Sequence, residues 1–255
     1  MLKEERIKQI VELLEDQGSA YVKDLSDHFN VTMMTIRRDL DEIVAQNSAL
    51  RTHGGAIFKI PPNELNGTPS LDRMQLMTRE KIRIAKKTSE LINKDEMIFL
   101  GSGTTTLYVA KEIAARDDIS VVTNSLMILN ELASNGKMTL IGIGGYLRRS
   151  EYSMIGHIAN DMIKDIHVDK VIMGMRGIHP RFGLTSDHPQ ELMTDRILLG
   201  ISDHVIIVAD HTKIGHVAAS RTAYLDAAYT IITTNNASRE IIDNIENQGV
   251  KVILV

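Results

Sequence analysis

Thr32-Met33-Met34-Thr35-Ile36-Arg37-Arg38-Asp39-Leu40 opens a helix, and the two segments before it make that helix the second half of a helix-turn-helix. Upstream, Ile7, Ile10, Val11 and Leu14 recur at helical spacing, and Gly18 follows as a left-handed stop. Val22, Leu25 and Phe29 form the apolar stripe of a short second helix, Asn30-Val31 makes a tight turn, and Thr32 suits the N-cap of the third. In the third helix Ile36, Leu40 and Ile43 share one face by the 3.6-residue period, so Met34, Thr35, Arg37 and Arg38 point away from the core in its first two turns. The opening turns of such a helix meet base edges in a DNA major groove: arginine binds guanine or phosphate, and small or apolar side chains meet the thymine methyl.

An amphipathic surface helix would show the same pattern, with Arg38 and Asp41 as a solvated pair. Net charge favours that second reading. Residues 1 to 59 carry eight Lys or Arg (3, 6, 8, 23, 37, 38, 51, 59) against ten Asp or Glu (4, 5, 12, 15, 16, 24, 27, 39, 41, 42), so the segment is not basic overall. Placement favours DNA, because the acids lie mainly on the first two helices and the arginines on the third and beyond. Arg51-Thr52-His53-Gly54-Gly55-Ala56 adds a cation and a two-glycine turn suited to the wing of a winged helix. The candidate DNA contacts are therefore Thr32, Met34, Thr35, Arg37, Arg38, Arg51 and His53.

The 255 residues exceed what one small winged helix needs, so a second domain is expected. The absence of cysteine excludes a disulfide framework and a thiolate metal site. No apolar run is long enough to span a bilayer, and the acidic start Met1-Leu2-Lys3-Glu4-Glu5 is unlike a signal peptide, so a cytoplasmic chain without membrane contact is expected. A formal charge of −4 argues against a general nucleic-acid coat protein and leaves a local contact surface. Three of the five prolines fall in Pro61-Pro62-Asn63-Glu64-Leu65-Asn66-Gly67-Thr68-Pro69, which marks a link between packed units. The expected organisation is a winged helix over 1–58, a linker over 59–74 and an α/β domain over 75–255. The latter begins with a basic helix over Arg79 to Ile92, with Ile82, Ala85 and Leu91 on its apolar side and its charges in solvent or on DNA backbone.

From there the chain alternates. Met97 to Leu100, Ile119 to Thr123, Met138 to Ile143, Lys170 to Gly174, Val205 to Ala209 and Tyr229 to Thr233 read as strands with helical patterns between most of them. Such alternation predicts a parallel sheet covered by helices, with ligands at the carboxyl ends of the strands. Gly101-Ser102-Gly103-Thr104-Thr105-Thr106 follows the first of these strands and opens a helix, so its glycines, free N–H groups and hydroxyls suit a phosphate. It is neither a Walker loop nor a dinucleotide fingerprint, and a plain strand-to-helix turn with a threonine cap would look alike. Further strand ends carry Thr123-Asn124-Ser125, Gly142-Ile143-Gly144-Gly145, Gly174-Met175-Arg176-Gly177 and Asp210-His211-Thr212-Lys213. Each alone is an ordinary turn, and Arg176 and Lys213 alone are ordinary surface cations. One sheet edge would gather them around a small anion.

These residues together resemble the DeoR family of bacterial repressors. Arg6, Ile10, Leu14, Thr32, Thr35, Ile36, Arg37, Arg38, Asp39 and Leu40 fit its amino-terminal signature, and Leu50 to Ala56 fits the wing. Asn47 stands where members commonly have glycine. Gly103-Thr104-Thr105-Thr106, Thr123-Asn124-Ser125, Gly144-Gly145, Gly183-Leu184-Thr185 and Asp210-His211-Thr212-Lys213 follow the order of its sensor domain. The resemblance implies a domain similar in fold to ribose-5-phosphate isomerase that answers to phosphorylated sugars or sugar alcohols. By that likeness Ser102, Gly103, Thr104 and Thr105 hold phosphate, Lys213 reaches the same anion, and Asn124, Gly145 and Glu191 face the sugar; Arg176 joins them as an effector contact through the convergence of the strand ends. Gly101 replaces a common aspartate, as does Thr234 near the chain end.

The alternative is an isomerase-like enzyme, or a catalytically inactive sugar-phosphate binder. Aldose–ketose isomerisation needs a carboxylate base and further acids. The isomerase keeps paired aspartates after a central strand, where this chain has Met173-Gly174-Met175-Arg176-Gly177, so Glu191 is left without them and no catalytic residue is assigned. Asp187-His188, Asp203-His204 and Asp210-His211 are sequence neighbours whose side chains diverge, which excludes a dyad. No facing His pair suggests a metal, and no nucleophile elbow is present. The expectation is a repressor without cofactor, acting on double-stranded operator DNA as a homodimer or homotetramer and released by a phosphorylated effector.

Overall fold

Ile10, Leu14, Ile36, Leu40 and Ile43 are completely buried, and with Val22, Leu25, Ala49 and Ala56 they form the core of the amino-terminal unit. Each large aliphatic side chain there contributes roughly 1.5–3 kcal/mol by leaving water. The computed structural model describes residues 3–17, 19–45, 49–52, 54–58, 70–74, 76–227 and 230–255. It divides into two compact units, Met1–Thr68 with Asp72–Arg79, and Pro69–Leu71 with Glu80–Val255.

In the first unit, α1 (Lys3–Gln17), α2 (Val22–Phe29) and α3 (Met33–Ala45) make the three-helix group. Asn30 ends α2 in the left-handed region at φ 51°, a conformation asparagine tolerates. Thr32 then caps α3: the Thr35 amide donates to its Oγ1 at 3.2 Å. Strands β1 (Ser19–Tyr21), β2 (Ala49–Arg51) and β3 (Gly55–Phe58) form an antiparallel sheet in the order β1-β3-β2, which is the wing. Glycine is required at 55, because a Cβ there would lie 2.0 Å from the Ala20 carbonyl oxygen. Gly18, Asn47, His53 and the proline-rich stretch 61–69 lie outside the described residues. Ser70–Arg73, within the expected linker, forms one helical turn.

The second unit holds α4 (Thr78–Ser89), counted from Glu80, and a sheet of seven parallel strands. These are β4 (Met97–Leu100), β5 (Ser120–Thr123), β6 (Thr139–Gly142), β9 (Lys170–Met173), β12 (Val205–Val208), β14 (Thr230–Thr233) and β15 (Lys251–Leu254), in the spatial order β15-β14-β12-β9-β4-β5-β6. Helices on both faces bury the inner strands, hence continuous runs such as Val205-Ile206-Ile207-Val208 in place of polar–apolar alternation. The chain starts at β4, steps outward to β5 and β6, and returns to β9 on the other side of β4. That reversal between β4 and β9 is the switch point where open α/β sheets form their ligand crevice.

Elements too short to show a sequence period surround this edge. They are the hairpin β7 (Tyr146–Arg148) with β8 (Ser153–Ile155), and the antiparallel trio β10 (Gly177–His179), β11 (Gly183–Ser186) and β13 (Ser220–Ala223). Helices α5 (Thr104–Ile113), α6 (Leu126–Leu132), α7 (His157–Lys164), α8 (Pro189–Leu198) and α9 (Arg239–Glu246) complete the unit.

Two expectations for α4 need correction. Its buried face is Glu80, Lys81, Ile84, Ala85 and Thr88, whereas Ile82 is 47% exposed. Positions 81, 84, 85 and 88 share one side by helical spacing, and 82 lies roughly a third of a turn round from it. Two of its charges are thus buried, and not solvated as the sequence suggested.

Candidate functional site

On α3, Met33 and Met34 are 52% and 57% exposed, Arg37 and Arg38 are exposed, and Thr35 is partly covered. Asp39 faces inward instead. Its carboxylate accepts from Arg6 Nε at 2.7 Å and Nη2 at 3.2 Å, which clamps α1 to α3. Asp41 pairs with Arg51, whose Nε lies 3.0 Å from its Oδ1, so the solvated Arg38–Asp41 pair considered from sequence gives way to a different bridge. Arg51 also donates to the Gly55 carbonyl at 2.7 Å and so braces the wing against α3. The outward surface of α3 is left with Met33, Met34, Arg37 and Arg38 foremost, and His53 lies outside the described residues.

In the second unit the strand ends converge as expected of one parallel sheet. Gly101-Ser102-Gly103 passes from β4 into α5, with Gly103 at φ 149° as the N-cap and no side chain capping the helix. The first N–H groups of α5 are therefore available to an anion. Thr104 and Thr105 are buried in its first turn, and the Thr106 hydroxyl is turned back to the Gly103 carbonyl at 3.0 Å. After β5, Asn124 is buried, with Nδ2 donating to the Met154 carbonyl at 3.2 Å. Gly145 serves packing, because its missing side chain lets the Ile155 carbonyl and Ala159 approach to 2.8 and 3.0 Å of where a Cβ would be.

Arg176, Glu191 and Lys213 are drawn inward and are not surface charges. Arg176 Nη2 donates to Glu151 at 2.5 Å and its Nε lies 3.8 Å from Asp187. Glu191, in the first turn of α8, is ion-paired with Arg148 and accepts from Ser153 Oγ at 2.8 Å. Lys213 is 9% exposed and faces Asp210, itself buried. Burial would raise the Asp210 carboxyl, but Lys213, the Thr212 hydroxyl and Lys81 outweigh it and hold it below its ordinary value.

Sequence reading missed Arg148, Glu151, Ser153, Asp187 and His188. Arg148 Nη1 lies against Glu191 and Asp187 Oδ2 is 3.8 Å from Arg176 Nε in ion pairs, whereas Asn124 Oδ1, Arg148 Nη2 and His188 Nε2 are buried and make no hydrogen bond among the described residues. Such a group costs about 1–3 kcal/mol when left unsatisfied, so a ligand that reaches several of them recovers that energy on binding. Burial, then the charge of Arg148, lowers His188; burial, then Lys213, lowers His216. Both imidazoles are thus favoured neutral, each with one donor and one acceptor for hydroxyls. Burial, with Glu191 close by, pushes the Asp195 carboxyl well above its ordinary value. The arrangement suits a small polyhydroxyl anion. Among the described residues no cluster of His, Asp and Glu is arranged to hold a metal ion.

A second buried group lies at the ends of β12 and β14. Glu80, on α4, accepts from His211 Nδ1 at 2.8 Å, from Thr234 Oγ1 at 2.8 Å and from Asn236 Nδ2 at 2.8 Å. Thr234 thus supplies a neutral hydroxyl at a position where an aspartate would set a second carboxylate against Glu80.

Family models match both units: a DeoR-like helix-turn-helix domain over residues 6–60, and a DeoR C-terminal sensor domain over residues 76–235. The chain belongs to the DeoR family. Among curated relatives, the glycerol-3-phosphate regulon repressor of Escherichia coli K12 is 36% identical over 233 residues, covering 90% of this chain and 91% of that protein. The transcriptional repressor AccR of Agrobacterium fabrum is 31% identical, covering 99% and 97%. Among solved structures, 52% of this DeoR-family chain is similar to ribose 5-phosphate isomerase A from Methanocaldococcus jannaschii, covering 52% of that chain at 16% identity with a TM-score of 0.38. Among the described residues no helix is long and apolar enough to cross a membrane.

Proposed function

We propose that this DeoR-family protein is a cytoplasmic transcriptional repressor that binds double-stranded operator DNA through α3 and the wing, and leaves it when a small phosphorylated sugar or sugar alcohol occupies the carboxyl edge of the second unit. The observation that carries the reading is the gathering, at one sheet edge, of an uncapped helix N-terminus, buried cations and the buried polar atoms of Asn124, Arg148 and His188 that make no hydrogen bond among the described residues. The α5 N-terminus, with Ser102, Gly103, Thr104, Thr105 and Lys213, takes the phosphate. Asn124, Asp187, His188 and Glu191 face hydroxyls, with Arg148 and Arg176 holding the carboxylates in place. The 36% identical relative is named for glycerol 3-phosphate, a ligand of the size and charge such a site accepts.

Helix-turn-helix proteins read paired half-sites, so the working form is a homodimer or homotetramer. Effector binding favours one arrangement of the subunits and so changes the fit of paired recognition helices to the operator. Binding without turnover is the reading for the second unit: Glu151, Asp187 and Glu191 are each engaged by an arginine. A thermal-shift panel of triose, tetrose, pentose and hexose phosphates, run beside their unphosphorylated forms, tests this directly. Stabilisation by a phosphorylated member alone, with no aldose–ketose conversion of it, is the expected result. Conversion lost in Glu191→Gln would make the protein an enzyme.

A further inference from the structure

His211 and Lys213 lie on a single 3-10 turn, His211–Lys213, that follows Asp210 at the end of β12. The turn is closed by Lys213 N–H to the Asp210 carbonyl at 3.1 Å and by Thr212 N–H to Asp210 Oδ1 at 3.0 Å. Its outer anchor is Glu80, 2% exposed, whose two oxygens lie 2.8 and 3.0 Å from His211 Nδ1. The same carboxylate holds Thr234 and Asn236 after β14, so one buried side chain of α4 ties together two strand-end loops. Lys81, next on α4 and also buried, acts on Asp210 from the same side.

We propose that Glu80 and His211 form a positioning pair that couples the proton on the His211 imidazole to anion binding at Lys213. This rests on the reading of the strand-end edge as an anion site. Among the described residues the charges facing His211 are Glu80 from α4, and Asp210 and Lys213 from its own turn; Thr234 and Asn236, the partners of Glu80 after β14, are neutral. Burial alone would lower His211, but the hydrogen bond and charge of Glu80, then Asp210, carry it above its ordinary value, and Lys213 works against them. An anion that neutralises Lys213 removes the opposing charge and adds a negative one nearby. Both changes favour the imidazolium. By linkage the reverse holds, so the anion binds less tightly once His211 has lost its proton.

Sulfate is the probe, because it remains a dianion across the pH range in which phosphate titrates. The experiment is a histidine-ring carbon–proton NMR titration of the whole protein in sodium sulfate and in sodium chloride at matched ionic strength, with the His211 signal identified by its loss in His211→Asn. The expected result is that sulfate raises the His211 midpoint by roughly half to one pH unit, and that sulfate affinity falls about three- to tenfold as pH rises through it. Lys213→Met abolishes both effects, and Glu80→Gln moves the His211 midpoint and the pH profile of sulfate binding downward together. His211→Asn keeps a donor for Glu80 without a titrating group, so it binds sulfate but loses the pH step that wild type shows, whereas with a purely structural pair neither protein shows the step. Sulfate that stabilises the protein through Lys213 while the His211 midpoint stays fixed overturns the coupling alone. Sulfate that neither stabilises the protein nor shifts any resonance overturns the anion-site reading and the coupling with it.

Discussion

Removing Arg6 is expected to undo the first unit while leaving the second folded. Its guanidinium and the Asp39 carboxylate are 10% and 2% exposed and meet through two hydrogen bonds of 2.7 and 3.2 Å. Arg6→Ala leaves Asp39 charged, buried and without its cation, a change that costs about 3–5 kcal/mol. A winged helix of roughly 55 residues has only about 3–8 kcal/mol in total, so the variant loses most of its margin. The assay is urea unfolding followed through a probe on α3, with gel-shift measurement of operator binding alongside. In the double variant Arg6→Met with Asp39→Leu no charge is left buried, and most of the stability should return. A loss below about 1 kcal/mol in Arg6→Ala would show that the pair is solvated and that Asp39 does not lock α1 to α3.

Arg38→Ala should lower operator affinity about ten- to a hundredfold in a folded protein, from loss of a base contact worth about 1–3 kcal/mol; unchanged gel-shift affinity would mean that α3 is not the reading helix. Arg37→Ala should weaken specific and random DNA alike and reduce the salt slope by about one, a test made by titration at several salt concentrations. Gly55→Ala forces a methyl to 2.0 Å from the Ala20 carbonyl, so β1 must separate from β3, and thermal unfolding of the first unit should drop by about 1–3 kcal/mol. The pH dependence of the Glu80–His211 pair has two limbs. Glu80 is held below its ordinary 4.5 and His211 above its ordinary 6.5, so the stabilisation is complete between those values, fades as pH falls through the depressed Glu80 value and fades again as pH rises through the elevated His211 value. Wild type should therefore exceed Glu80→Gln in stability most clearly between them, and an equal difference at every pH would refute the ion pair.

The helices of the first unit were legible because a 3.6-residue apolar period and a threonine cap are local signals: Ile10, Leu14, Ile36, Leu40 and Ile43 all fall in the core that the spacing predicts. The inner strands were legible as apolar runs. The rim of the site was not, because β7, β8 and β10 span three residues each, too few for any period, and they carry or position Arg148, Glu151 and Ser153. The C-terminal strand β15 was missed as well; it lies at the sheet edge and its residues are only partly covered. Charged residues deceive more deeply. On α4, Ile82 reads as core and Lys81 as surface, yet their places are exchanged, since what rewards Glu80 and Lys81 for facing inward is a set of partners more than a hundred residues away in sequence. The Asp39 carboxylate was equally hidden, its partner Arg6 lying 33 residues upstream.

The central claim is that an anion held at the strand ends releases the protein from DNA, and Lys213→Ala tests it most directly. In a fluorescence-anisotropy titration of the operator complex, the phosphorylated compound that stabilises wild type should release it, while its unphosphorylated form has no effect. Lys213→Ala should bind operator as wild type does but need about ten- to a hundredfold more effector for release, the loss expected for a charge-assisted contact worth roughly 1.5–3 kcal/mol. Release of wild type by the neutral sugar, or a Lys213→Ala protein that answers the effector unchanged, would contradict the account and place the effector elsewhere.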